Sequence, residues 1–235
     1  MATAWLTLVH APAFVEGVHD ALLAPLARHL GAAEQARLPG FVRQRRRREF
    51  ILGRVLLRHC VARRTGCPTA QIEVIERAGA GPQIVLPAVH DGPLQVSLAH
   101  AGGWIACAIG FGPGLGVDIE TVHAGRDLAA LSHIALSPAE RHWLLGQPDR
   151  DAAFYRLWCG KEAFHKYRNN AGLPATPGLP GLDCDAGDAA PQGGGARLST
   201  HHDHDTGMTL ALCGAPGTEM IQEKIMLEEV LETFT

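Results

Sequence analysis

Two carboxylates stand two positions apart in the segment GVDIE, residues 116–120. Asp118 and Glu120 are flanked by residues that favour β-strands, and side chains at positions i and i+2 of a strand lie on one face. Like charges held this close repel each other unless a cation or a proton lies between them. The segment therefore predicts a strand that presents a cation-binding pair of acids.

A third acid lies in the segment WCGKEAFHK, which has helical character. Lys161 and Glu162 are adjacent there, and Lys166 shares a helix face with Glu162 because it follows four residues later. Alone, this pattern is more typical of a solvated ion pair on a helix surface. Together with the two strand acids it forms a hard oxygen set without cysteine or histidine at zinc spacing, which suits Mg²⁺. Such an ion is usually completed by water and phosphate oxygens, and a nearby lysine would neutralise the phosphate charge that remains.

The run RQRRRREF, residues 43–50, contains five arginines close together. It could be a plain helix surface, a short nucleic-acid patch or a phosphate-binding face, and Arg46 and Arg54 are about two helical turns apart. His100 precedes two glycines that would let an anionic ligand approach the backbone. A lone histidine at such a position can also be purely structural.

These groups need strands and helices to position them, and hydrophobic periodicity predicts both. Helices are predicted at 17–30, 41–66, 152–172 and 219–235, and a capping box at Ser137–Glu140 begins another. Strands are predicted at 5–11, 71–76 and 208–214. The segment 78–87 is predicted to be a turn that leads into a further strand, and residues 94–120 are predicted to form two or three strands. Residues 173–196, rich in Gly, Pro and Asp, are predicted to form a long loop.

The order of these elements indicates an α+β fold with a weak internal repeat. The segments GGWIACAIG and GMTLALCG are both short, small-residue strands bounded by glycine, and each half of the chain has one long helix. We therefore expect two similar α/β halves forming a pseudo-dimer. The expected division is 1–114 for the arginine helix and 115–235 for the acidic site and the tail.

The composition sets limits on the class of protein. The chain has 235 residues, a formal net charge of −3 and six cysteines without a CxxC pair. Those features predict a soluble cytoplasmic protein with free thiols, and they argue against a general nucleic-acid binder. No segment has the roughly 20 apolar residues that span a bilayer, and the first residues do not resemble a signal peptide.

GVDIE followed by WCGKEAFHK resembles the paired signatures of the 4′-phosphopantetheinyl transferases, written (V/I)G(V/I)D and WxxKEAxxK. VSLAHAGGW and the arginine helix upstream resemble the longer, surfactin-type (Sfp-type) branch. The similarity covers about residues 41 to 172. That branch is a pseudo-dimer of two α+β halves, so the resemblance implies the same fold and a monomer.

The resemblance also implies roles for individual residues. The metal-binding group would be Asp118, Glu120 and Glu162, with Mg²⁺ or Mn²⁺ as the ion. Glu162 and Lys166 would be catalytic. The coenzyme A phosphates would be held by Arg46, Arg54, His100, Lys161 and Lys166. Because the alignment is loose in the arginine run, Arg47 or Arg48 could take the place of Arg46.

Two positions depart from the family pattern, in which a basic residue often precedes the proline of AGAGPQ and a serine often precedes the histidine. Gly81 and Ala99 stand there instead, and each removes a potential phosphate contact. The implied reaction transfers 4′-phosphopantetheine from coenzyme A to a serine of an apo acyl or peptidyl carrier protein. Two other interpretations stay open from the residues alone: a Mg²⁺-dependent phosphohydrolase acting on another phosphoester, and a nucleic-acid-binding protein that uses the arginine helix.

Overall fold

The computed structural model describes residues 2–77, 80–87, 92–123, 125–174, 178–184, 190–191 and 195–234. Its α-helices are α1 (Pro12–Val15), α2 (Leu23–Ala27), α3 (Ala32–Arg37), α4 (Gln44–Thr65), α5 (Leu128–Ala135), α6 (Pro138–Leu145), α7 (Arg150–Asn170) and α8 (Leu227–Glu232). Its strands are β1 (Thr3–His10), β2 (Glu73–Ile75), β3 (Gln83–Val85), β4 (Leu94–Ala101), β5 (Trp104–Phe111), β6 (Leu115–Thr121), β7 (Leu182–Asp183), β8 (Ala190–Pro191), β9 (Arg197–Asp203), β10 (Met208–Gly214) and β11 (Glu219–Ile225). Short 3₁₀ turns occur at Asp20–Leu22, Leu38–Gly40 and Thr69–Gln71.

The first main sheet has the strand order β11-β1-β5-β4. Successive side chains of a strand point to opposite faces. In β1, Trp5 and Val9 belong to the core that surrounds α4, whereas Leu6 and Leu8 belong to a second core on the opposite face. One face of this sheet is therefore covered by α4.

The second main sheet has the order β6-β10-β9, and α7 packs against it. Val117 and Ile119 of β6 and Leu210 of β10 join the core that also contains Leu6 and Leu8 of β1. The two sheets thus face each other across a shared apolar layer, with α4 and α7 on the outer faces. The chain is α+β, as its sequence predicts.

Most predicted elements are confirmed with small shifts in their ends. The helices predicted at 41–66 and 152–172 are α4 and α7, and α4 ends at Gly66, whose φ of +70° suits glycine. The capping box begins α6, and the region 94–120 forms the three strands β4, β5 and β6. The segment 71–76 contains β2, and β3 lies within 78–87, of which residues 78–79 lie outside the described part.

Two predicted helices are wrong as continuous elements. The segment 17–30 contains a 3₁₀ turn and then only the five residues of α2, which includes Pro25. In the tail 219–235, the first seven residues form β11, which pairs in parallel with β1, and only Leu227–Glu232 is helical. The exposed edge of β1 offers unpaired backbone groups, and satisfying them outweighs the helical spacing of the tail.

This pairing also bears on the predicted division of the chain. That division places the tail in the half that begins at residue 115, whereas β11 belongs to the first sheet and α8 packs on the core around α4. The predicted loop at 173–196 contains the short pair β7-β8, and residues 175–177, 185–189 and 192–194 lie outside the described part. Among the described helices, none has the length and apolar character needed to cross a bilayer.

Candidate active site

The two acids of GVDIE lie on the face of β6 that is turned toward α7. Leu115, Val117 and Ile119 fill the core between the sheets. Strand alternation therefore directs Asp118 and Glu120 to the opposite side, against the helix that carries Glu162 and Lys166. The apolar residues of this strand thus orient its acids.

The close contacts around Gly116 explain why the segment GVDIE begins with a glycine. A Cβ atom at this position would lie 1.9 Å from the carbonyl oxygen of Ala163 and 2.5 Å from the amide nitrogen of Tyr167. No side chain fits between β6 and α7 at that point. The glycine therefore allows the close approach that brings the acids of the strand to those of the helix.

Lys166 connects the helix to the strand directly. Its ammonium group donates to Asp118 Oδ1 at 2.8 Å and to the carbonyl oxygen of Val117 at 2.9 Å. The other carboxylate oxygen of Asp118, Oδ2, is buried and has no hydrogen-bond partner among the described residues. A buried, unsatisfied carboxylate oxygen is costly, so this atom is available to a cation or a donor group.

The three acids are close enough to influence one another's protonation. Burial raises the pKa of Asp118, although the ammonium of Lys166 opposes that rise. Burial and the charge of Asp118 raise the pKa of Glu120, to which Glu162 also contributes. Burial and Asp118 likewise raise the pKa of Glu162. Burial raises all three pKa values and charge repulsion adds to the rise at Glu120 and Glu162, so the carboxylates form a site of concentrated negative potential.

This donor set suits a hard divalent cation. Asp118, Glu120 and Glu162 offer only oxygen ligands, and the unpartnered Oδ2 of Asp118 lacks the positive partner that an ion would supply. Within the described ranges, no three His, Cys, Asp or Glu side chains are already gathered at metal-ligand distances. The assignment of these three residues as metal ligands therefore stays a prediction.

A basic group on the neighbouring elements is organised around Glu49 of α4. Arg45, Arg46 and His100 each have a nitrogen within 3.2–3.3 Å of its carboxylate. Arg46 Nη1 also lies 3.2 Å from the ring nitrogens of His100. Burial lowers the pKa of His100, and the charges of Arg46 and Lys166 lower it further against the opposing effect of Glu49. Arg46 and His100, predicted from distant segments, are thus brought together.

Arg54 is more deeply buried than Arg46, the other residue of α4 predicted to bind phosphate. It forms ion pairs with Glu34, at 3.1 Å, and with Glu76. It also lines a cavity of about 360 Å³ together with Glu162 and Lys166 of α7. This cavity joins the arginine helix to the acidic site.

Lys161 does not line this cavity, which argues against its predicted role as a phosphate contact. Its ammonium group is buried and donates to Glu140 Oε2 at 2.7 Å. Glu140 also accepts from the backbone amides of Ser137 and Leu182. Although burial tends to raise the pKa of Glu140, these hydrogen bonds lower it overall. Lys161 lies one position before Glu162 and therefore points about 100° away around the helix.

Replacing Lys161 by methionine should therefore lower the free energy of unfolding. Phosphate binding by the folded variant should not change. Loss of one partner of a buried ion pair costs about 3–5 kcal/mol, because the remaining charge stays buried. Chemical denaturation of the Lys161→Met variant measures this loss. The matched variant Lys166→Met, whose side chain is partly exposed beside the cavity, should instead weaken coenzyme A binding. Weakened coenzyme A binding by folded Lys161→Met, or unchanged binding by Lys166→Met, would contradict the distinction.

Asn170 was missed as a site residue, because asparagine near a helix end is also a common stop signal. Its Nδ2 group donates to the carbonyl oxygens of Leu115, at 2.6 Å, and Val96, at 3.1 Å. Its Oδ1 accepts from the amide of Gly81 at 3.0 Å and from Arg77 at 3.1 Å. One side chain thus fastens α7 to β4, β6 and the segment before β3.

The same contacts give a structural reason for Gly81, where the family pattern often has a basic residue before the proline. A Cβ atom on Gly81 would lie 2.9 Å from Asn170 Oδ1 and 2.9 Å from the carbonyl oxygen of Val96. A longer side chain therefore conflicts with the Asn170 network. Arg77 lies nearby and donates from Nε to the Gly81 carbonyl oxygen at 2.7 Å.

Comparison with known proteins agrees with this arrangement. Residues 114–208, which contain both signature segments, match the model of the 4′-phosphopantetheinyl transferase superfamily. The chain is 36% identical over 123 residues to the 4′-phosphopantetheinyl transferase psf-1 of Bacillus pumilus, covering 51% of this chain and 49% of that protein. It is 28% identical over 149 residues to the 4′-phosphopantetheinyl transferase HetI of a Nostoc species, covering 63% and 62%. The chain thus spans about half to three-fifths of the length of these curated relatives.

Proposed function

We propose that this protein transfers the 4′-phosphopantetheine group from coenzyme A to a serine of an apo acyl or peptidyl carrier protein. The observation that carries this proposal is the convergence of three acids with raised pKa values and Lys166, beside a cavity that Glu162, Lys166 and Arg54 line. The acids suit a metal-bound pyrophosphate, and the basic residues suit the other phosphate of the coenzyme. The match of residues 114–208 to the superfamily model and the names of the relatives support the same reaction.

The reaction breaks the phosphoanhydride bond of the coenzyme A pyrophosphate and forms a phosphoester bond to the serine. The serine hydroxyl oxygen attacks the β-phosphorus of coenzyme A, a bond forms there, and the bond from that phosphorus to the oxygen of 3′,5′-ADP breaks. The serine proton passes to the Glu162 carboxylate, directly or through water, and 3′,5′-ADP leaves as an anion. The raised pKa of Glu162 makes this carboxylate a stronger base than that of an exposed glutamate. Lys166 stabilises the charge that develops on the phosphoryl oxygens.

A divalent ion fits the acidic part of the site. Asp118, Glu120 and Glu162 would hold Mg²⁺, or Mn²⁺ in its place, and the ion would supply charge neutralisation on the pyrophosphate. When phosphate oxygens are present, the ammonium of Lys166 can donate to Asp118 and to the phosphoryl group. The ammonium is suited to both because it has three donors.

The basic residues on the other wall suit the 3′-phosphate and the coenzyme backbone. His100 and Arg46 lie within hydrogen-bonding distance of each other, and Arg46 is largely exposed. Arg54 faces the cavity while its charge is shared with two glutamates. We assign these three residues to phosphate binding and exclude Lys161.

The architecture supports the longer, surfactin-type branch and its pseudo-dimer. Each main sheet carries one long helix on its outer face, α4 on the first and α7 on the second, and the inner faces share one core. We extend the proposal to a cytoplasmic monomer. The six cysteines, all within the described residues, form no disulfide with one another, which suits a reducing compartment.

The test is a transfer assay. The protein is incubated with coenzyme A, Mg²⁺ and a panel of apo carrier proteins, and the mass of each carrier is measured. A mass gain equal to one phosphopantetheine group, with release of 3′,5′-ADP, is expected for at least one carrier. Release of inorganic phosphate without carrier modification would instead indicate a phosphohydrolase. Steep salt-dependent DNA binding without transfer would indicate a nucleic-acid protein.

His100 should provide a preference for coenzyme A over dephospho-coenzyme A. Loss of a hydrogen bond to a charged group costs roughly 1.5–3 kcal/mol, so His100→Ala should weaken coenzyme A binding about ten- to a hundredfold. Dephospho-coenzyme A binding should hardly change, because the 3′-phosphate is missing there. Isothermal titration of both ligands against wild type and variant measures the two ratios.

The exposed histidine His133 of α5 offers a matched control for this experiment. His133→Ala should leave the preference between the two ligands unchanged. If His100→Ala weakens both ligands equally, or only lowers the melting temperature, the histidine is structural and does not bind the 3′-phosphate.

A further inference from the structure

A second cavity, of about 570 Å³, lies at the beginning of α4, away from the acidic site. Its walls come from α2, α3, the turn at Leu38–Gly40 and the first turn of α4. Apolar atoms of Ala24, Ala27, Leu38, Pro39 and Phe41 form much of its surface, and Arg28, Gln35, Gln44 and Arg47 supply its polar groups. This size and this mixture of an apolar lining with a few polar groups are typical of small-molecule sites.

Arg47 differs from the other arginines of its run. Arg45 and Arg46 pair with Glu49, and Arg48 pairs with Asp20 at 2.7 Å. Arg47 Nε is buried and has no hydrogen-bond partner among the described residues. Asp20 affects Arg47 only through longer-range attraction, because Arg48 holds its carboxylate. A buried guanidinium nitrogen without an acceptor is costly, and an anion in the adjoining cavity would satisfy it.

The start of α4 adds a second preference for negative charge. Its first turn contains no acidic residue, and the N-cap residue Arg43 makes no side-chain capping bond. The first amide groups of a helix lack intrahelical acceptors, and the helix dipole places partial positive charge at this end. Among the residues lining this cavity, all of them described, there is no aspartate or glutamate to meet that charge.

We propose that this cavity binds an organic anion with an apolar body, carrying a carboxylate or a phosphate. The anionic group would contact Arg47 and Arg28, and the apolar body would cover Leu38 and Phe41. Arg47 follows Arg46 by one position, so the two side chains point about 100° apart around α4. The cavity also shares no lining residue with the cavity of about 360 Å³ that Arg54, Glu162 and Lys166 line, so the site is separate from that part of the proposed coenzyme site.

Isothermal titration with decanoate and with octyl phosphate tests the proposal, and inorganic phosphate and 1-octanol test the separate contributions of charge and apolar body. We expect saturable binding of at least one of the two amphiphiles, decanoate and octyl phosphate. The one that binds more tightly identifies the anionic group that the cavity prefers. Arg47→Gln should weaken that binding about ten- to a hundredfold, as loss of a charge-assisted hydrogen bond implies. Arg43→Gln removes a neighbouring exposed charge outside the cavity and should change the affinity less than twofold.

A second variant keeps the test independent of the arginine run. Ala24→Met fills the cavity from α2 without changing any charge, and it should reduce amphiphile binding at an unchanged melting temperature. The proposal is overturned if wild type binds neither amphiphile, if inorganic phosphate or 1-octanol binds as tightly as the amphiphiles, or if Arg43→Gln weakens binding as much as Arg47→Gln. Displacement of the amphiphile by coenzyme A would also overturn it, by identifying the cavity as part of the coenzyme site. None of these results depends on whether the carrier-modification assay succeeds.

Discussion

Replacement of Asp118 by asparagine is expected to abolish the proposed phosphopantetheine transfer while keeping the protein folded. The substitution preserves shape but removes the charge that would bind the metal ion and that now pairs with Lys166. Charge stabilisation of a phosphoryl transition state by a metal is worth several kcal/mol, so the turnover rate should fall by about a thousandfold or more. Single-turnover measurement of carrier modification at saturating Mg²⁺ determines this loss.

The stability of the same variant separates a functional acid from a structural one. Because burial raises the pKa of Asp118, the folded protein binds this proton more tightly than the unfolded chain does. The favourable contribution of the group is therefore present at low pH and is lost as the pH rises through the folded-state pKa. At neutral pH the asparagine variant should melt at the same temperature as wild type or higher, with the advantage disappearing as the pH falls toward about 4.

A matched control for charge is Asp205→Asn, which removes an exposed acid from the turn between β9 and β10. It should retain wild-type transfer. Chelation of the metal should stop the wild-type reaction, and added Mg²⁺ or Mn²⁺ should restore it. Near wild-type turnover in Asp118→Asn would exclude Asp118 from the metal site, and a large fall in melting temperature would make its role structural.

Gly116→Ala is expected to produce the largest combined loss of stability and activity. The added methyl group would lie 1.9 Å from the carbonyl oxygen of Ala163, a backbone atom that cannot rotate away. Overpacking a core typically costs about 1–3 kcal/mol, and a clash with backbone on both sides belongs at or above the upper end. Because α7 must move away from β6, Glu162 and Lys166 should also lose their alignment with Asp118. Denaturant unfolding and the transfer assay measure the two effects.

Gly40→Ala is the control for this substitution. Its added methyl group meets nothing within 4 Å, and Gly40 lies at the end of a short 3₁₀ turn. Both stability and transfer should stay close to wild type. A Gly116→Ala protein with unchanged unfolding would show that β6 and α7 can separate without cost, and the close approach would lose its role in positioning the site.

The positions of the acids could be predicted from the sequence because they follow from local periodicity. In β6, Val117 and Ile119 are apolar and Asp118 and Glu120 are charged, so strand alternation alone separates a core face from a site face. The spacing of Glu162 and Lys166 follows equally from the helical repeat. Both helices were also marked by strong local signals, including Gly66 after α4.

The unpredicted features depend on contacts between distant segments. Lys161 and Glu162 are neighbours in sequence, and only the packing of α6 against α7 shows that the lysine pairs with Glu140. The hydrogen bonds of Asn170 reach Val96 and Leu115, which lie more than fifty positions away. The tail shows helical spacing, but its first seven residues complete a sheet whose open edge lies at the other end of the chain.

The parallel pairing of β1 with β11 also constrains the order of folding during synthesis. Thr7 of β1 and Glu223 of β11 share a hydrogen bond across a separation of 216 residues. The ribosome releases β1 long before its partner exists, so the hydrogen-bonding edge of β1 stays open while the second sheet and α7 are already available to fold. Closing so large a loop is entropically slow, and open strand edges promote association between chains. A chain interrupted before β11 should therefore aggregate through β1, and the first sheet, with the arginines it supports, should mature last.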